Sequence, residues 1–327
     1  DTLSLHDALP ISQLNYLKLV YPAISNKKAE YIKNDKGIQE IIKNSHLYMI
    51  VQEYNNELRL LSHNEETLEY FLELNINGIK ENCKLNLLKL FDLYDFNEDE
   101  NEYNLRIIFG RKLIIIEKYN LKTNEVIEII DEISAYKILQ YKIYGDCIIE
   151  GIDNINEINK YYLHYVGISK KDDSLTRLVI KPHDKRLRIL SMETTNSKEF
   201  SLSDEINLLF FRVEPIRISI WQDESAEEFL DNTIDYFSII ADAEKALVSS
   251  LNSKYNTIRF NDYPKGTDGL YNTGLKRYGY LIGENITLVT DSEIIKGDKL
   301  NEYTFGNKAD MIFIEGDKTS IERYSDN

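Results

Sequence analysis

The sequence predicts an α+β protein made of consecutive parts. Three observations lead there. Several stretches alternate apolar and polar residues with the two-residue period of a half-buried strand. One stretch, 233–251, carries an apolar stripe at three-to-four spacing, the signature of an amphipathic helix. The two kinds of stretch are mixed along the 327 residues rather than alternating regularly, which points away from a repeated strand–helix–strand design. The parts expected are an α+β unit over 13–135, a central domain over 136–260 and a β-rich extension over 261–327.

The elements follow in order. The first twelve residues, DTLSLHDALPIS, begin without Met, lack the basic-then-apolar pattern of a signal peptide and resemble translated sequencing adapter, so the fold is read from residue 13. IQEIIKN at 38–44 has helical spacing. HLYMIVQEYNNELRLLSH at 46–63 reads as two strands turning at Asn55-Asn56, a hairpin pattern. Asn64 followed by acidic residues predicts a helix over 64–74, and 82–96 predicts a second. From 103 to 130 the apolar runs shorten and turn residues separate them, which predicts a β meander. Residues 136–153 read as one or two strands.

YYLHYVGIS is a strand in which Gly167 permits close approach by a neighbouring chain. Ser174 is a candidate cap for a short helix through Arg177, which Pro182 ends. DKRLRIL resumes helix at 184–190. Residues 205–221 are a long apolar strand. Then comes the helix 233–251, whose stripe of Phe237, Ile240, Ala241, Leu247, Val248 and Leu251 also holds Glu244, with Asp242, Lys245 and Ser249 off it. An unpaired buried carboxylate costs several kcal/mol, so Glu244 requires a cation, a metal or a proton. ADMIFIEGDKTSIERY at 309–324 is a strand–turn–strand around Gly316-Asp317.

Composition bounds the function. A net charge of −16 argues against coating nucleic acid by bulk electrostatics, while leaving room for a local basic groove. Such a patch exists: between 168 and 190, seven cations stand against three carboxylates, a local net of +4. Lys170, Lys171, Lys181, Lys185, Arg186 and Arg188 are the candidate phosphate contacts, with a solvated helix face as the simpler account. No apolar run reaches membrane-spanning length. Two separated cysteines, Cys83 and Cys147, fit reduced thiols and a cytoplasmic setting. Usage rich in Ile, Asn, Lys and Tyr suggests an AT-rich bacterial or phage genome. P-loop, HExxH, GxSxG, GxGxxG and zinc-type Cys/His patterns are absent.

The order of Tyr165-Val166-Gly167, Arg177, His183, then Glu244 in AEKALVSSLNSKYN with Asn256 after it, resembles the GIY-YIG nuclease family over residues 136–260. The resemblance implies a small antiparallel sheet flanked by helices. It also implies a metal-dependent endonuclease acting on DNA, or on RNA, with Mg²⁺ or Mn²⁺ held by Glu244. Arg177 would clamp phosphate, and Tyr165 would position or deprotonate water. The family's first tyrosine is expected about ten residues before the second, but 153–158 holds none. The nearest candidate is Tyr144 in Ile143-Tyr144-Gly145, on a longer hairpin. A competing account keeps the scaffold as a non-catalytic binding module, with Glu244 closed by Arg177 or Arg212.

Overall fold

A computed structural model describes residues 13–94, 103–145, 147–217, 234–299 and 308–324. The residues 1–12 that resemble adapter lie outside these, as do the ends of the elements expected over 82–96, 205–221 and 233–251. Helices and extensive sheets together make the protein mixed α+β. The chain divides differently from the consecutive parts expected. Unit 1 takes Asp1–Gln52, Lys160–Thr195 and Leu202–Asn327, and unit 2 takes Glu53–Asn159 and Asn196–Ser201. Unit 2 therefore interrupts unit 1 rather than preceding it.

Unit 1 opens with β1 (Gln13–Leu19) and a short β2 (Ile24–Ser25), then α1 (Asn26–Ile32) and α2 (Lys36–Ile42). Each helix starts where a short polar side chain satisfies an otherwise unpaired amide: Ser25 accepts from the N–H of Lys28, and Asp35 from that of Ile38. β3 (Leu47–Glu53) follows and is buried along its whole length.

Unit 2 contains β4 (Asn56–Asn64), β5 (Glu69–Ile76), β6 (Ile79–Asn86), α3 (Leu87–Phe91), β7 (Tyr103–Phe109), β8 (Ile114–Asn120), β9 (Val126–Ile133), α4 (Ala135–Tyr144), β10 (Ile149–Gly151) and α5 (Ile155–Ile158). The meander β7-β8-β9 forms as expected, and the other strands pair in the order β10-β6-β5-β4. Three local expectations are corrected here. The two strands at 46–63 form but do not pair with each other: β3 joins the sheet of unit 1 and β4 that of unit 2. The helix expected over 64–74 is a strand, because Asn64 accepts from the N–H groups of Glu66 and Thr67 and so closes a turn. Leu72, Leu74 and Ile76 are then buried at a period of two. The strands expected over 136–153 are mostly α4, capped by Ser134, with Ala135, Tyr136, Ile138 and Leu139 on its buried face.

The chain re-enters unit 1 as β11 (Lys160–Ile168). A π-helical turn (Thr176–Ile180), α6 (Asp184–Met192), α7 (Leu202–Glu205), β12 (Ile206–Arg217) and α8 (Tyr236–Leu251) follow. The tail adds β13 (Arg277–Ile282), β14 (Thr287–Val289), β15 (Ile294–Lys296), β16 (Met311–Glu315) and β17 (Lys318–Glu322). Among the described residues the strands of unit 1 make a ten-stranded sheet, ordered β15-β14-β11-β3-β12-β1-β13-β16-β17 with β2 beside β12. The small sheet expected within 136–260 does not stand by itself: β11 and β12 belong to this larger sheet with β3 between them, and the expected β-rich extension supplies its two ends.

Register places the key side chains. On β3, Tyr48 lies opposite Phe210 and Ile50 opposite Leu208 of β12. The N–H of Ser169 bonds to the carbonyl of His46, and His164 meets Gln52 at 3.0 Å. β3 and β11 therefore run antiparallel, with the exit from β3 beside the entry to β11. One hydrophobic cluster holds Tyr48, Ile50, Leu208 and Phe210 with Leu178 and Val179 of the π-helical turn and Ile189 of α6. Tyr165 packs against it.

Candidate active site

Tyr48 and Tyr165 stand on neighbouring strands with ring centroids 6.2 Å apart. His183 sits edge-on to both, at 5.6 Å from Tyr48 and 5.7 Å from Tyr165. Gly167 makes room for this trio. A Cβ there would lie 2.6 Å from Tyr165 Cε1 and 2.8 Å from both Cζ and the hydroxyl oxygen of Tyr48. The glycine after Val166 is needed because Tyr48 occupies the space of its side chain.

The hydrogen bonds have a direction. His183 is the N-cap of α6, and its Nδ1 accepts from the N–H of Arg186 at 3.1 Å. Nδ1 is then the acceptor of the ring, so Nε2 carries the proton. Nε2 faces the Tyr48 hydroxyl at 3.0 Å and donates to it. Tyr48 and Tyr165 act on each other: Tyr165 helps hold the Tyr48 phenol up, and Tyr48 draws the Tyr165 phenol down. The bond thus runs from His183 to Tyr48, with the half-buried Tyr165 beside it. Burial raises both phenols, and it pushes the His183 imidazole down to about 4, helped by Arg177 and Arg186. His183 is neutral at pH 7.

Arg177 is carried by the π-helical turn, in which the N–H of Lys181 reaches back to the carbonyl of Thr176. Such turns often mark functional positions. The cap is Asp173, which accepts from both the N–H and the hydroxyl of Thr176. Ser174, the expected cap, instead bonds Ser45 in the interior at 2.9 Å. The Arg177 guanidinium is exposed and, among the described residues, has no hydrogen bond or ion pair. Its charge acts on Tyr48, Tyr165 and His183.

Glu244 reaches the same place from α8, and its charge acts on both Tyr48 and Tyr165. It is half-buried and, among the described residues, makes no hydrogen bond or ion pair. Burial raises its carboxyl to about 7, with Asp268 adding to the rise and Lys170 and Lys245 opposing it. Arg212 is occupied by Glu214 at 2.5 Å, so the closed salt bridge of the competing account does not form. The requirement for a cation, metal or proton at Glu244 stands.

Asn256 completes the arrangement from behind. Its Oδ1 accepts from the N–H of Val166 at 2.9 Å and its Nδ2 donates to the Val166 carbonyl at 2.8 Å. Both backbone groups next to Tyr165 are thereby held.

Tyr165, Arg177, His183 and Glu244 are brought together. Tyr144 is not: it lies near the end of α4 in unit 2, whereas Tyr48 of β3 stands beside Tyr165. Sequence reasoning missed Tyr48 because residues 53–159 separate it from Tyr165. Its signal was an aromatic on a fully apolar strand. The basic patch also changes. Arg186 is 8% exposed and bonded to Asn26, the Leu178 carbonyl and Glu30, so it is an interior strut. Lys170 is paired with Asp268 at 2.8 Å and Lys181 with Asp172 at 2.6 Å. Lys171, Lys185 and Arg188 reach solvent without an ion pair among the described residues. The helix stripe is broader than expected, since Asp242 and Lys245 are also buried. Asp242 accepts from Tyr263, Tyr280 and the N–H of Leu270.

No protein-family model, no curated protein and no solved structure matches the chain.

Proposed function

We propose that unit 1 is a metal-dependent endonuclease that hydrolyses phosphodiester bonds in DNA through a GIY-YIG-like site. The observation that carries this reading is the convergence of two tyrosines, a neutral histidine, an unpaired arginine and an unpaired carboxylate, of which Arg177 is exposed and Tyr165 and Glu244 are half-buried. Tyr48 would take the place of the family's first tyrosine, and the order β11-β3-β12 puts both tyrosines on adjacent antiparallel strands.

The residues present fit a divalent cation. Glu244 is a half-buried carboxylate with no ion pair among the described residues, its nearby Lys170 and Lys245 being paired with Asp268, and Mg²⁺ binds through one or two carboxylates while keeping several waters. Mg²⁺ or Mn²⁺ on Glu244 would supply charge to polarise the phosphate and stabilise the leaving oxygen. The protein's own groups do the rest. Arg177 neutralises and orients the phosphate through its fork of donors. Tyr165, half-buried beside Tyr48, orients the attacking water.

The test is nicking of supercoiled plasmid with Mg²⁺, Mn²⁺ or EDTA by the chain from residue 13. Metal-dependent cleavage abolished by Glu244→Ala and by Arg177→Ala is expected. A folded protein that cuts neither plasmid nor labelled single strands, DNA or RNA, overturns the reading in favour of a binding module.

A further inference from the structure

Beside the tyrosine pair lies a cavity of about 360 Å³, lined by Arg188 and Met192 of α6 and by Lys254, Tyr255, Asn256 and Arg259 of the segment after α8. Clefts that hold small ligands span about 300–1,000 Å³. We propose that this cleft binds the phosphate backbone of the DNA strand flanking the phosphodiester that the site would cut. The proposal rests on the nuclease reading above.

Position comes first. Asn256 lines the cleft and also clamps Val166, the residue after Tyr165. Tyr255 packs in the same cluster as Tyr48 and Tyr165. Arg188 stands five residues beyond His183, a rise of about 7.5 Å along α6.

Charge comes second. Three cations and no carboxylate line the cleft, in a chain of net −16. Lys254 is tied to Glu193 at 2.6 Å, and Tyr255 also donates to Glu193. The two arginines are differently placed. Arg188 lies 5.9 Å over the Tyr255 ring and, among the described residues, has no hydrogen bond or ion pair. Arg259 uses one Nη1 on the Ser253 carbonyl at 2.6 Å and has no ion pair among the described residues. Both keep free donors in the planar fork that matches phosphate. Lys170, Lys181 and Arg186 are each engaged by a carboxylate. Arg188 of the expected patch thus joins Arg259, which lies outside it, as the cleft's unpaired guanidinium groups.

The experiment measures binding of a fluorescein-labelled DNA duplex by anisotropy in EDTA across a salt series, so no chemistry is needed. Each phosphate contact contributes about 0.9 to the slope of log K against log salt. Arg188→Ala with Arg259→Ala should lower the slope by about 1.8 at an unchanged fold by circular dichroism. Arg188→Lys with Arg259→Lys should restore it. Removing equal charge at Lys276 and Lys318, exposed beside or on strands at the far end of the sheet order, should leave it unchanged. An unchanged slope in the arginine-to-alanine pair, or an equal drop in the lysine control pair, overturns the proposal. Wild-type protein that fails to bind DNA at low salt overturns it as well. If the slope falls but wild type cuts nothing, the cleft stands and the hydrolytic reading falls. Glu244-dependent cutting with an unchanged slope has the reverse meaning.

Discussion

Adding one methyl group at Gly167 tests the tyrosine arrangement most directly. The Cβ of Gly167→Ala would sit 2.6–2.8 Å from atoms of Tyr165 and Tyr48. Carbon atoms rest at about 3.5–4.0 Å, so the rings must retreat by about 1 Å. Tyr48 has little freedom to do so, being fully buried and held by His183 at 3.0 Å. Overpacking of this kind costs about 1–3 kcal/mol, against about 0.4–1 kcal/mol gained by restricting the unfolded chain. The net loss is about 1–2 kcal/mol, a Tm lower by several degrees. A displacement of about 1 Å at a reacting group costs about a hundredfold in rate, so nicking should fall by that order. The assay is a thermodynamic cycle with Tyr48→Ala, read by thermal melting. With the Tyr48 ring gone, two of the three close contacts vanish and the Tyr165 ring gains room to yield, so the Gly167 substitution should cost less than it does beside Tyr48. Additive losses across the cycle would refute the argument, as would a Gly167→Ala protein as stable and active as wild type.

Three other perturbations follow from the geometry. Glu244 has its carboxyl raised from 4.5 to about 7. The folded state holds a proton there that the unfolded state releases, so this group lowers stability as pH rises from 4.5 to 7. Glu244→Gln should therefore melt higher than wild type at pH 8 but not at pH 4, while losing activity. His164 is pushed from 6.5 down to about 4, chiefly by burial. The unfolded state takes up its proton first, so stability present above pH 6.5 is lost as pH falls toward 4, and melting of His164→Gln should depend less on pH in that window. Asp242→Ala leaves two tyrosine hydroxyls and one amide without their acceptor. At about 1–3 kcal/mol for each orphaned group, the loss should be at least 3 kcal/mol by urea denaturation, and Asp242→Asn should lose less.

Spacing along one chain segment was readable where the segment stayed local. The strand at Tyr165, the helix after Pro182 and the helix bearing Glu244 all form where their periodicity places them. So does the meander from 103 to 130. What could not be read depends on partners distant in sequence. Arg186 looks like a surface cation until Asn26 and Glu30, on α1, close around it. Residues 64–74 carry helical signals, but strand pairing with β4 and β6 buries Leu72 and Leu74 more effectively than a lone helix could. Asp242 lies off the apolar stripe, yet donors from 263, 270 and 280 cover that side of α8. Tyr48 was hidden for the same reason as the unit boundaries: strands that are neighbours in the sheet are separated by an entire folded insertion.

That insertion sets when the site can exist during synthesis. A local hairpin would bring its two tyrosines together almost as soon as both left the ribosome. Here the chain must add the residues from Tyr48 to Glu244 before the last of the assembled groups is present. At about 5–20 residues per second, that interval is about 10–40 s. Throughout it Tyr48 waits on an incomplete sheet, and no nascent fragment ending before α8 holds the full set of groups. On the nuclease reading proposed above, the nucleic acids around the ribosome are safe from the site until α8 has been made.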